Sequence, residues 1–457
     1  MVTEQFSRFV LETPARQIPA PVLQGARDAF IDTVGVALAG LDEPASRLAT
    51  RWVEELGARP QASLFGATLA TAPTEAAFAN GISAHALDLD DSLTTLHGHP
   101  SATLVPAALA VAQSTHASGA ELLAAYALGL EVAGKFGRAL GDEHYMRGWH
   151  STSTIGVFSC TAAAARLWGL DAKQLCMAWG LAASQMSGLL RNFGFMAKPF
   201  HAGHAARAGV WSAWAAKAGM TADPDILDGT RSMLATYGGG DGATPSTLVG
   251  RLGAPWEILD PGINVKRWPC CYGTHRGIAG LLALREAHGL RADDVQSVEV
   301  GFVPGNDAAL IGREPATGLE AKFSMEYTAA AALIDGAIGV DTFTDAAVMR
   351  EPHRALMRKV RRYHVDPRDI PAGMPVFVDL AVTIASGRLT LRVQHAPGSR
   401  AAPMDAQDRK AKFLECAGRW LDPQRAQALH ALLWNCADLA DADALMRATR
   451  RRSSGEA

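Results

Sequence analysis

The sequence predicts a mainly α protein with an α+β second domain: an all-helical domain built from both chain ends, 1–262 and 401–457, and a smaller α+β domain at 263–400. Three observations predict it. Apolar residues recur at three- and four-residue spacing over almost the whole stretch from Pro21 to Lys217. The turn cluster from Pro255 to Gly262 ends that texture, and alternating, strand-like segments first appear beyond it. After Gly398 the helical spacing returns.

The helical series begins with Phe30, Val34, Val36, Leu38 and Ala39 and continues through Ala-rich segments at 102–112, 120–133, 159–168 and 174–190. Ala and Gly on every face predict helices packed closely between other helices. The uncharged runs His99–Ala120 and Gly148–Ala165 fit that reading, because their Ser, Thr, His, Gln and Gly make poor lipid-facing spans. Val295–Val303 and Val376–Ile384 alternate as strands, and Ser386-Gly387 before Leu389–Val393 predicts a hairpin return. Helical stretches are expected between them at 273–288, 326–337 and 344–360. Met404, Phe413, Leu414, Trp420, Leu429, Leu432 and Leu433 are core candidates of the returning helices, ahead of a polar, basic tail, 450–457, expected to fray.

Composition excludes several classes. The chain has 457 residues, 48% hydrophobic and 19% charged, with 43 Lys+Arg against 46 Asp+Glu, so it has too many apolar residues for disorder and no basic excess for nucleic acid. The six cysteines make no CxxC pair and no disulfide framework; reduced, mostly buried thiols in a cytoplasmic protein are expected. The N-terminus lacks the apolar core of a signal peptide. Phosphate-loop, dinucleotide, serine-hydrolase and zincin motifs are missing.

Polar groups in apolar, Gly-rich surroundings remain. Asp88 to Pro100 holds three acids and two histidines, read as helix caps, as catalytic groups, or as a metal set of Asp88, Asp90, His97 and His99. Arg147 to Thr154 places His150 before serial hydroxyls at a helix start, either an anion site or an ordinary cap. Met196 to His204 carries Lys198, which in a half-buried setting needs an anion, and His201 and His204, read first as core histidines. Val265 to His275 puts Lys266 beside apolar residues after the domain break, where ligand clefts are common. Tyr327, opening an Ala-rich helix, is an acid candidate or a core tyrosine. The Gly238–Gly242 segment reads as a flap or as a tolerant loop.

These segments, in this order, resemble the MmgE/PrpD family, which includes 2-methylcitrate dehydratase, cis-aconitate decarboxylase and iminodisuccinate epimerase; Lys198-Pro-Phe-His-Ala-Gly203, the Asp88-Leu-Asp-Asp loop with its His99-Pro-Ser, and Lys322-Phe-Ser-Met-Glu-Tyr327 carry the resemblance. It implies a homodimeric, cofactor-free enzyme with no metal, acting on a small di- or tricarboxylate, with no nucleic-acid or membrane partner. By resemblance His99, His150, Lys198, Lys266 and Tyr327 are catalytic candidates, and Asp88, Ser92, Ser151, Thr152 and His275 bind substrate. Ser92 replaces the usual Thr of the dehydratases and decarboxylases, and the loop is one residue longer with an extra histidine, His97.

The residue types suit proton abstraction α to a carboxylate. Cations absorb the charge that develops, and a histidine supplies a base near neutrality. The reading favoured on sequence is a dehydratase of the 2-methylcitrate type. Its alternatives are an imino- or amino-dicarboxylate epimerase, a cis-aconitate-type decarboxylase, a metal-dependent hydrolase and a catalytically silent helical dimer.

Overall fold

The computed structural model describes residues 1–240, 242 and 244–451, so Asp241 of the expected flap and residues 452–457 of the expected frayed tail lie outside the described residues. The chain forms two compact units. The first comprises Met1–Arg191, Met196–Asn264 and Asp405–Ala457, and the second Asn192–Phe195 and Val265–Met404. The seam falls after Asn264 rather than after Gly262. The reason is a short antiparallel ladder in which Ser92 pairs with Asn264 and Leu93 with Ile263, tying those two residues to the first unit.

The first unit is built from helices α1 (Ala20–Ala39), α2 (Pro73–His85), α3 (Pro100–Thr115), α4 (Gly119–Met146), α5 (Gly156–Leu167) and α6 (Ala197–Lys217), with shorter helices between them. In α3 every residue from Pro100 to Gln113 is buried. The charge-free run that raised the membrane question is therefore core. No helix among the described residues is long and apolar enough to cross a membrane.

The second unit contains α7 (Tyr272–His288) and α8 (Met325–Asp335), with a sheet of β1 (Val295–Phe302), β2 (Val360–His364), β3 (Val378–Ile384) and β4 (Gly387–Val393). The strand order is β2-β1-β3-β4, with β1 parallel to β2 and antiparallel to β3. The expected hairpin is the β3–β4 pair. The expected helix 344–360 is instead two short helices, Asp345–Val348 and Glu351–Met357, followed by β2. Helix α9 (Ala406–Gly418) then returns to the first unit, where Gly35 of α1 lies so close to Phe413 that a Cβ would stand 2.8 Å from its ring. All six cysteines are buried and free of disulfides.

Candidate active site

The site in the first unit starts from a glycine contact. A Cβ on Gly81 of α2 would lie 2.8 Å from the Cα of Gly203 of α6, and one on Gly203 would lie 2.4 Å from the Phe78 carbonyl oxygen. Only bare backbone allows these helices to come so close. That approach brings His85, at the end of α2, to Lys198, in the first turn of α6.

After α2 the chain turns through Asp88, which adopts a left-handed backbone at φ 54°. This turn aims the acids of the loop inward, and Asp88, Asp90 and Asp91 are all buried. The Lys198 ammonium donates to Asp88 Oδ1 at 2.7 Å and reaches His85 Nε2 at 2.6 Å. His85 Nδ1 stands 2.9 Å from both oxygens of Asp90. His99 Nδ1 donates to the Asp91 carbonyl at 2.9 Å and lies 3.1 Å from Asp90 Oδ2, while its Nε2 is 3.7 Å from Asp88 Oδ1.

The charges sort accordingly. Burial alone would raise Asp90, but His85 and His99 beside it hold its carboxyl well below the usual carboxylate range. Burial, with the neighbouring Lys198, holds His85 down to about 4 against the pull of Asp90. Behind the site Asp91 accepts from the Ser101 hydroxyl, which in turn meets Tyr126 at 2.6 Å. Burial pushes that carboxyl up to about 7 despite the Ser101 bond. Two buried acids one residue apart are thus shifted in opposite directions.

His150 completes the cluster. Its ring stacks 6.1 Å from that of His85, and its Nδ1 is 2.9 Å from His201 Nδ1, so one of that pair donates to the other. Burial, followed by the charge of Lys198, keeps both rings neutral, His201 at about 4. At the expected helix start, Ser151–Thr154 runs on through Ile155, still in helical backbone, into α5, and Thr152 Oγ1 accepts from the His99 backbone N–H at 3.0 Å. Ser151 is buried there, and Thr152 positions His99.

His85, Asp88, Asp90 and His99 offer ligand atoms within 4.8 Å of one another, the geometry of a metal set. The donor set does not suit an added cation, because the Lys198 ammonium already bonds Asp88 and His85. His97, part of the metal set weighed on sequence, turns instead to Asp142 at 2.8 Å on the surface. Ser92, in the short ladder, accepts through its carbonyl from Asn264 at 3.4 Å.

The second unit holds the other expected residues. Lys266 is fully buried. His275, on α7, packs between Trp268 and Tyr272 at ring distances of 5.2 and 5.1 Å. Lys322, quoted on sequence only as the start of the motif that ends at Tyr327, donates to the Pro269 carbonyl at 3.0 Å. Tyr327 lies in the second unit. It is a core residue whose hydroxyl donates to the Thr342 carbonyl at 2.6 Å, and burial pushes it up to about 12.

Sequence reasoning missed His85, with Asp90 as its partner, and read His201 first as a core histidine. A signal for the first was present, since His85 stands three residues before Asp88, but it closes an Ala-rich helix and reads as core.

Comparison with known proteins places the chain. The model of the MmgE/PrpD N-terminal domain matches residues 4–246, and that of the MmgE/PrpD C-terminal domain matches 268–437. The chain is 26% identical to a cis-aconitate decarboxylase of Homo sapiens over 97% of its own length and 93% of that protein's. It is likewise 26% identical to the Mus musculus protein of the same name, over 98% and 93%. To a cis-aconitate decarboxylase of Aspergillus terreus it is 23% identical, over 97% and 95%.

Proposed function

This chain belongs to the MmgE/PrpD family, and on that premise we propose that it is a cofactor-independent lyase that moves a proton on a small di- or tricarboxylate. One observation carries the reading: a buried ammonium, Lys198, held by Asp88 and His85 within a cluster that also contains His99 and His150. An ammonium fixed in a dry setting pairs with a substrate carboxylate and takes up the charge that builds on it as the neighbouring carbon loses a proton or carbon dioxide. His99 suits the base. Its Nδ1 proton goes to the Asp91 carbonyl, which leaves the lone pair on Nε2, and its side chain is 13% exposed where Lys198 is 4%. Asp88, 3.7 Å from that Nε2, stabilises the imidazolium that proton uptake creates.

The names of the full-length relatives favour decarboxylation of an unsaturated tricarboxylate such as cis-aconitate. Water loss from a 2-methylcitrate-like acid, the outcome favoured on sequence, and epimerisation begin with proton removal from carbon by that base, whereas decarboxylation of cis-aconitate needs a proton delivered to carbon, which a His99 imidazolium would supply. Lys266, in the second unit, stays a catalytic candidate by the family resemblance alone, and the homodimer that the resemblance implies stays in the proposal with it. Sedimentation velocity tests the second.

Proton NMR in D₂O with EDTA-treated protein separates the outcomes, offering cis-aconitate, 2-methylcitrate, citrate and iminodisuccinate in turn. Loss of carbon dioxide with deuterium at the protonated carbon is expected from cis-aconitate, and Lys198→Ala should slow it about 10²–10³-fold. Water loss from a hydroxylated acid would assign the dehydratase outcome instead. No turnover and no exchange with any of these acids would sink the reading.

A further inference from the structure

We propose that Asp90 and His85 are positioning residues for Lys198: Asp90 fixes the imidazole tautomer that lets His85 accept a hydrogen bond from the ammonium. This rests on the reading of Lys198 as the substrate-binding cation. An ionised carboxylate only accepts, and both Asp90 oxygens lie 2.9 Å from His85 Nδ1, so that nitrogen carries the proton. A neutral imidazole has one N–H, and its Nε2 therefore presents a lone pair. An ammonium only donates, and Lys198 Nζ stands 2.6 Å from that Nε2.

The chain from carboxylate through imidazole to ammonium thus runs in one direction only. The other tautomer, or an imidazolium, would set N–H against N–H at 2.6 Å. Both side chains of the dyad are 0% exposed, so no bulk water substitutes for either partner. With Asp88 as the second acceptor at 2.7 Å, two bonds fix the direction of the ammonium, and the Asp90 charge behind His85 supports its protonated form. The arrangement parallels a carboxylate that orients a catalytic histidine, with a lysine in place of the nucleophile. It gives a role to His85, for which the reaction itself has no task, and a second one to Asp90, which also lies 3.1 Å from Nδ1 of His99.

The test has two arms. In ¹⁵N-labelled protein at neutral pH, the His85 signal, identified by its loss in His85→Gln, should show a proton on Nδ1 and none on Nε2. In Asp90→Asn, which keeps the shape, the amide donor comes within reach of Nδ1 and the negative charge is lost. KM for the active acid should rise about 10–100-fold, and the alkaline limb of the pH profile should move to lower pH as the ammonium loses support. His85→Gln, whose amide oxygen still accepts from Lys198, should retain more activity than His85→Ala.

A His85 imidazolium or an Nε2–H tautomer would overturn the proposal, as would Asp90→Asn with unchanged KM and pH limb. The NMR arm needs no substrate. The expected tautomer without turnover on any acid would therefore sink the functional reading and leave the dyad standing.

Discussion

At the scale of single residues, Lys412 shows how the far end of the chain reaches the acidic loop. Its ammonium lies 2.6 Å from Asp32 Oδ1 and donates to the Leu89 carbonyl at 3.0 Å, so one side chain of α9 fixes both α1 and the loop carrying Asp88 and Asp90. Burial raises the Asp32 carboxyl, and Lys412 opposes that rise. Removing one partner of a buried pair strands the other, whereas removing both does not. Lys412→Met is thus expected to cost about 3–5 kcal/mol, and Lys412→Met with Asp32→Asn distinctly less. Urea melts of the three proteins check this; equal losses in single and double variants would show that the pair is not coupled. Phe413 was legible on sequence as core, but the role of Lys412 was not, because no local pattern announces a partner some 380 residues away. His85 was hidden for a related reason. A histidine at the end of a buried Ala-rich helix has the texture of core, and only the fold shows that its ring lies between a carboxylate and an ammonium.

At the scale of elements, the α2–α6 contact makes the site. Gly203→Ala would push a methyl group to 2.4 Å from the Phe78 carbonyl oxygen, and backbone cannot rotate away as a side chain can. A loss of about 1–3 kcal/mol is expected, together with reduced turnover, because a separation of α2 from α6 lengthens the Lys198–His85 bond. A thermal melt and a kcat measurement on the same preparation decide it, and unchanged values of both would remove the contact from the account. Strands β1, β3 and β4 were legible because apolar residues alternate with other residues along much of each. Strand β2 was not. Val360-Arg-Arg-Tyr-His364 lies at the sheet edge, its side chains mostly open, and follows a helix whose spacing runs into it, so no apolar alternation marks the change. The helix start at Ser151–Thr154 was legible, but the use of Thr152 to hold the His99 backbone was not.

At the scale of the whole molecule, the buried titratable groups set how stability changes with pH. His85 and His201 are held down to about 4 from an ordinary 6.5, and His150 is held well below it, so all three stay neutral when folded and take up protons near 6.5 when unfolded. Their stabilisation is complete above 6.5 and is lost as pH falls toward 4. Asp91 works the other way. Pushed up to about 7 from 3.8, it is protonated in the folded chain across that window and ionised in the unfolded one, so it favours the fold as pH drops. Burial raises Asp32 and Glu131 in the same sense as Asp91 and lowers His144, His204 and His430 in the same sense as the three histidines, so the lowered histidines outnumber the raised acids and the unfolded chain binds more protons than the folded one. Each net proton is worth about 1.4 kcal/mol per pH unit. The expected outcome is a steep loss of stability between 6.5 and 4, set by the same histidines that surround Lys198. Urea melts across that range, repeated on His201→Gln, check it. The variant should show a shallower slope by about one proton, and a wild-type stability that is flat or rising on acidification would mean that the buried rings are charged in the folded protein.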